Sequence, residues 1–317
     1  MSGNNSSVKA VIFALGSNLL ITLLKFIVSM VTLSTGMLAE AIHSLADCGN
    51  QVFLLVGNKR AAKKANDLHP FGYGKEEYFW GFLVAVLLFF VGAVFSIYEG
   101  IHKIFLPTEI QNVTWSLVVL VFSIFIEGKS FWVAYASFRK SHETTSMYRA
   151  LKDSTDTSLL VILLEDSAAL VGLTIVLCST LLAWYLHPVF DAIGSILVGI
   201  LLVGVSLFMI NELRKLIVGE NISKEMRDEL SLIISNNSVV HQVNYISAMM
   251  MGKGKFLLVV GVDLVDTSEA SVIEMEMQQM RKDLLQKNSS IHSIFFDVRD
   301  LNREGVSNGV GQMQIPS

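Results

Sequence analysis

The stretch TGMLAEAIHSLADCGNQ, Thr35 to Gln51, decides how this chain is read. It sits in a long apolar run, yet it carries Glu40, His43, Asp47 and Asn50. An ionisable group at the centre of a bilayer costs at least about 2.5 kcal/mol on insertion scales, so each one needs a partner or a function. At about 100° per residue, His43 and Asp47 point in nearly the same direction, and an imidazole and a carboxylate share one helix face. Two such ligands can hold one ion. Nitrogen plus oxygen donors suit zinc, and also iron, cobalt or manganese, whereas calcium asks for more oxygens.

The surroundings of this stretch set the class. Of the 317 residues 52% are hydrophobic and only 16% are charged, and the mean hydropathy is +0.54, outside the range of a soluble domain. A helix needs about 20 apolar residues to cross a bilayer. Six runs of that order occur: Val8 to Leu33, Met37 to Gly57, Tyr78 to Phe105, Val113 to Phe138, Thr157 to Leu186 and Val189 to Ile210, with His187 and Pro188 turning between the last two. Lys59, Arg60, Lys63, Lys64 and Lys75 follow the second run, and Arg139, Lys140, Arg149 and Lys152 follow the fourth. Basic loops stay on the cytoplasmic side, which puts both termini there. The absence of a basic, cleavable or Arg-rich leader points to a bacterial plasma membrane. A net charge of -4 without a dense basic patch excludes a nucleic-acid partner.

The character changes near Asn211. Helices are expected over Lys224 to Ser235 and Ser268 to Gln286, and strands over Val239 to Met250, Phe256 to Leu264 and Ile291 to Val298, with Gly252, Lys253 and Gly254 making the hairpin turn. The expected organisation is a six-span transmembrane domain over 1–210, a small cytoplasmic α+β domain over 211–301 and a flexible tail over 302–317. The fold class is thus an α-helical membrane protein with an appended α+β domain.

Further polar residues lie inside the spans. Glu165 and Asp166 interrupt the run Leu159 to Leu177. If one face of the fifth span meets the His43 and Asp47 face, three or four ligands converge, the number that a tetrahedral ion takes. Asp166 is the firmer ligand, and Glu165, about 100° around the helix, is a fourth ligand, a proton carrier or a helix contact. Glu127 and Lys129 sit deep in the fourth span on opposite sides, and Glu127 is a candidate for the pathway. Lys25 and Glu99 fall nearer span ends, where long side chains reach the interface. Cys48 and Cys178 read as small buried hydrophobes.

Together these residues resemble the cation diffusion facilitators, proton-coupled exporters of zinc and related divalent ions. The resemblance rests on Thr35 to Gln51, on HPFGYGKEE from His69 to Glu77, on Glu99 to Ile101 and on Asp191 to Ser195. It implies a site of two ligands from span two and two from span five, each pair four apart. The second of the latter matches Asp166, while the first falls on Ile162, which cannot ligate. That departure and the Glu165-Asp166 pair resemble the subgroup of the animal mitochondrial zinc transporter. A second family site would use Asp67 and His69, with Tyr73 where a histidine is common, and is expected weak or absent. The resemblance also implies a copper-chaperone-like cytoplasmic domain that forms a homodimer; His241 and Asp297 are its only candidate ligands. Zinc or a similar divalent cation is then cargo, exchanged against protons, and no cofactor is expected. Manganese, iron or cobalt are alternative cargoes, and a membrane-embedded metalloenzyme or a metal sensor is the rival reading.

Overall fold

The computed structural model describes residues 2–32, 35–106, 113–141, 147–152, 154, 156–252 and 254–299; side chains are described for part of these, and that of His43 lies outside them. The chain forms two compact units, Met1–Val218 and Gly219–Ser317.

In the first unit, α1 spans Ser2–Thr32 and α2 Thr35–Ala61; α3, Glu76–Leu87, continues through a π-helical segment, Leu88–Val94, into α4, Phe95–Phe105. Then come α5 (Val113–Ser141), the short α6 (Met147–Lys152), α7 (Thr157–Tyr185) and α8 (Val189–Val218). Among the described residues, five helical stretches are long and apolar enough to cross a membrane: Val8–Val28, Glu76–Phe105, Val113–Lys140, Thr157–Tyr185 and Val189–Val218. The helix expected to stop at Ile210 thus runs on to Val218. The run expected as the second span falls on α2, which is not one of these five and which carries Asp47, Asn50, Gln51 and Asn58.

Local chemistry accounts for the helix ends. Asp156 caps α7, its carboxylate accepting from Leu159 N–H, so that one of the orphan donors of the first turn is satisfied. At the α7–α8 turn the His187 ring accepts from Val189 N–H at 3.2 Å. The packing is inverted relative to a soluble bundle: Phe125, Trp132 and Phe90 face outward at 73%, 65% and 61% exposure. Polar Asn18, Lys25, Gln51, Ser123 and Glu165 are buried inside. That inversion is what a hydrocarbon solvent selects, since polar groups then find partners only within the bundle.

Small residues set the closest helix approach. A Cβ on Gly100 would lie 2.9 Å from Ala192 O, and one on Gly199 would lie 3.0 Å from Ala93 O. Glycine at both places lets the α4 and α8 backbones touch, as small residues do at membrane helix interfaces. Lys103 of α4 then bridges Glu99 and Asp191, each at 3.1 Å, so Glu99 is engaged in an ion network.

Lys25 departs from expectation. It is 5% exposed, and its Nζ donates to Ser44 Oγ of α2 at 2.8 Å rather than reaching the interface. Cys48 is buried as expected, but Cys178 is exposed on α7.

The second unit runs α9 (Lys224–Ser235), β1 (Val240–Gly252), β2 (Lys255–Leu264), α10 (Ala270–Lys287) and β3 (Ile291–Val298). Its sheet has the order β1-β2-β3, with β1 and β2 antiparallel and β2 and β3 parallel. The parallel pair needs a crossover, which α10 supplies. Gly252 and Gly254, at φ 145° and 61°, take the positive φ that the hairpin turn requires. Alternate residues of β2, Phe256, Leu258, Val260 and Val262, pack with Leu230, Ile234, Met280 and Leu284 of the two helices to form a core of its own. The tail expected over 302–317 lies outside the described residues.

Candidate metal-ion site in the helix bundle

Four carboxylates of the first unit interact electrostatically: Asp47 on α2, Glu127 on α5, and Glu165 and Asp166 on α7. Asp166 and Glu165 are 2% and 6% exposed, Glu127 is 8% exposed, and Asp47 is half-buried. Lys25 adds a cation within electrostatic reach of Glu127.

The two neighbours on α7 turn to different helices. Asp166 Oδ2 accepts from Ser130 Oγ of α5 at 2.8 Å. Glu165 Oε1 accepts from Asn50 Nδ2 of α2 at 2.9 Å, and its Oε2 accepts from Gln51 Nε2 at 3.4 Å. The step of about 100° between adjacent helical residues produces this split. Asp166 is therefore held from the α5 side and Glu165 from the α2 side.

Two hydrogen bonds fix the depth of α2 against α7. Asn58 Nδ2 donates to Ser158 Oγ at 2.8 Å, and Gln51 meets Glu165. The two contacts are seven residues apart on each helix, so the helices run antiparallel in step over about 10 Å. On that register Asp166 lies level with Asn50, and Asp47 lies about one turn beyond Gln51 toward the α2 N-terminus. Ile162, fully buried, is one turn the other way.

Among the described residues no three His, Cys, Asp or Glu side chains come together closely enough to hold a metal ion. The side chain of His43, the nitrogen ligand expected on α2, lies outside the described residues. Lys129 is exposed while Glu127 is buried, in keeping with their two-residue separation on α5.

The loop after α2 holds Asp67 and His69, both exposed. His69 packs against Tyr73 with ring centroids 4.2 Å apart and planes tilted by 31°, and Tyr73 Oη accepts from Asn66 Nδ2 at 2.9 Å. Tyr73 thus acts as a packing partner for His69. In the second unit His241 is exposed and Asp297 is engaged by Tyr245 and Arg299.

Ser130, Asn50 and Gln51 are the site residues that the sequence reading passed over as partners. Asn50 and Gln51 follow Asp47 within one turn, and Ser130 lies three residues from Glu127, on the same side of α5. That periodicity was the available signal.

Residues 11–218 match the family model of the cation efflux transmembrane domain. This chain belongs to the cation efflux family, the cation diffusion facilitators. It is 32% identical over 258 residues to the protein named proton-coupled zinc antiporter SLC30A9, mitochondrial, of Mus musculus, a match covering 80% of this chain and 46% of that one. The human protein of the same name is also 32% identical, with 80% and 45% covered. Metal tolerance protein C4 of Arabidopsis thaliana is 31% identical over 260 residues, 81% of this chain and 57% of that one. This chain spans about half the length of these relatives. It is a multi-pass membrane protein of the subgroup that resembles the animal mitochondrial transporters, and the cation efflux family is one of transporters, not of enzymes.

Proposed function

We propose that this cation efflux protein exports a divalent transition-metal ion, zinc first among them, in exchange for protons. His43, Asp47 and Asp166 are the ligands in this reading, with Glu165 beside them and Glu127 along the pathway. The observation that carries it is the group of interacting carboxylates from α2, α5 and α7, of which Glu127, Glu165 and Asp166 are buried and Asp47 half-buried. Like charges in a water-poor interior repel, and a divalent cation or protons balance them. Ion and proton therefore compete for the same oxygens. Arrival of one releases the other, which is the coupling an antiporter needs.

In this reading α2 also crosses the membrane, as the second of six spans, and both termini lie on the side of the basic loops after α2 and α5. Antiparallel α2 and α7 carry the ligands, and rocking of the bundle opens the site to each side in turn. The printed names of the mouse and human relatives support zinc and proton coupling. The order of helices and strands in the second unit supports a copper-chaperone-like domain, and the family supports a homodimer. Cargo manganese, iron or cobalt would use the same oxygens. Fractionation of cells that express the tagged protein tests the expected bacterial plasma membrane against an organelle membrane.

The test is metal flux into proteoliposomes under an imposed pH gradient, for zinc, manganese and iron, comparing the native chain with Asp47→Ala and Asp166→Ala. Gradient-driven flux that both variants lose supports the antiporter and ranks its cargo. No flux of any metal by the native chain would sink it.

A further inference from the structure

Beyond the ligands named above, we propose that Gln51 supplies a carboxamide oxygen to the divalent cation, completing the donor set where Ile162 offers none. This inference rests on the transport reading and deepens it.

Gln51 is fully buried, and its amide is only half used. The Nε2 group donates to Glu165 Oε2 at 3.4 Å, while Oε1 is a buried oxygen with no hydrogen-bond partner among the described residues. An unpaired buried amide oxygen gives up its hydration without compensation. Such a cost is tolerated where the atom has work to do.

Position strengthens the case. Gln51 follows Asp47 by four residues, so both lie on one face of α2. Helical side chains lean toward the N-terminus of their own helix. On α2 that lean carries the Gln51 amide toward the turn of Asp47. On the antiparallel α7 it carries Asp166 back toward the level of Gln51. The Gln51 amide thus comes to a depth between those of Asp47 and Asp166. Ile162 is buried one turn away on α7 and presents only hydrocarbon. A neutral amide oxygen fits this place better than a further carboxylate would, because Asp47, Glu127, Glu165 and Asp166 already interact there. The ligand class is a borderline divalent cation that accepts oxygen donors.

Gln51 could instead serve only to prop Glu165, and a double-mutant cycle separates the two roles. Zinc binding to the purified full chain is measured by calorimetry, and zinc flux in proteoliposomes, for Gln51→Leu in the native and Glu165→Gln backgrounds. Gln51→Met, unbranched like glutamine, serves if the leucine variant does not accumulate. The expected result is zinc affinity weakened roughly tenfold or more in both backgrounds, since loss of even an outer partner of a ligand has that effect. A loss confined to the chain with native Glu165 makes Gln51 a prop and overturns the proposal, as does unchanged affinity in both. Absence of flux from the native chain would count against transport, while the calorimetric comparison still decides the role of the Gln51 oxygen.

Discussion

Ser130 donates its hydroxyl proton to Asp166 Oδ2 over 2.8 Å, a hydrogen bond that ties the α7 carboxylate to α5. The bond engages one oxygen of Asp166, and in the proposed site the other is the one offered to the cation. Ser130→Ala removes that orientation without emptying much volume. Zinc affinity in the proteoliposome assay is expected to fall roughly tenfold, as for other outer-shell losses. Ser130→Thr keeps the hydroxyl and is expected to stay within about threefold of the native chain. Equal loss in both variants would reject an orienting role.

The touching backbones of α4 and α8 predict a steric result. Gly100→Ala and Gly199→Ala each place a methyl within 3.0 Å of a facing carbonyl oxygen or nearer to an isoleucine. Overpacking of this kind costs about 1–3 kcal/mol. Thermal unfolding in detergent is expected at lower temperature for both. Gly204→Ala, with open space around it, is expected to leave the transition unchanged or raise it.

The loop after α2 predicts a gain. Asp67 and His69 are exposed with Tyr73 packed on His69, so the native loop is expected to bind no zinc. Tyr73→His supplies a third ligand next to the first two. Equilibrium dialysis is expected to find one additional zinc per chain, lost again in His69→Ala. No gain would show that the loop geometry, and not the residue type, withholds the site.

The sheet of the second unit predicts a pH effect. Tyr245 on β1 and Asp297 on β3 both pair with Gly261 of β2, and the Tyr245 hydroxyl crosses that glycine to donate to Asp297 at 2.5 Å. The bond, with help from Arg299, holds the Asp297 carboxyl below its ordinary 3.8. The same bond raises the Tyr245 phenol above its ordinary 10.0. A depressed carboxyl contributes stability that is present above its unfolded value and lost as pH falls through the folded one. A raised phenol contributes stability present below its unfolded value and lost as pH rises through the folded one. Tyr245→Phe should therefore destabilise the unit across neutral pH, with the difference shrinking below about pH 3.8. Denaturant titrations of the full chain at pH 6 and pH 3, read by hydrogen exchange in β3, check this; a difference that grows toward pH 3 would contradict it.

Much of the architecture was legible in the chain. Hydrophobic runs of membrane length marked most of the long helices because a hydrocarbon solvent punishes every unpaired backbone group and so demands uninterrupted helix. The apolar, β-branched run Phe256 to Val262 marked β2 as a strand, while its core face was decided only by packing, because both faces of the run are apolar. Family membership was legible from Thr35 to Gln51 and His69 to Glu77. Periodicity also separated Glu165 from Asp166 by about 100°. It fixes an angle on one helix, however, and says nothing of which neighbour occupies that direction. Only the packed bundle decided that Asp166 meets Ser130, that Glu165 meets Asn50 and Gln51, and that Lys25 turns inward to Ser44. Those partners come from residues 19 to 115 positions away, and contacts at such range are set by tertiary packing, where each polar group must find whatever donor or acceptor the neighbouring helices bring to its depth.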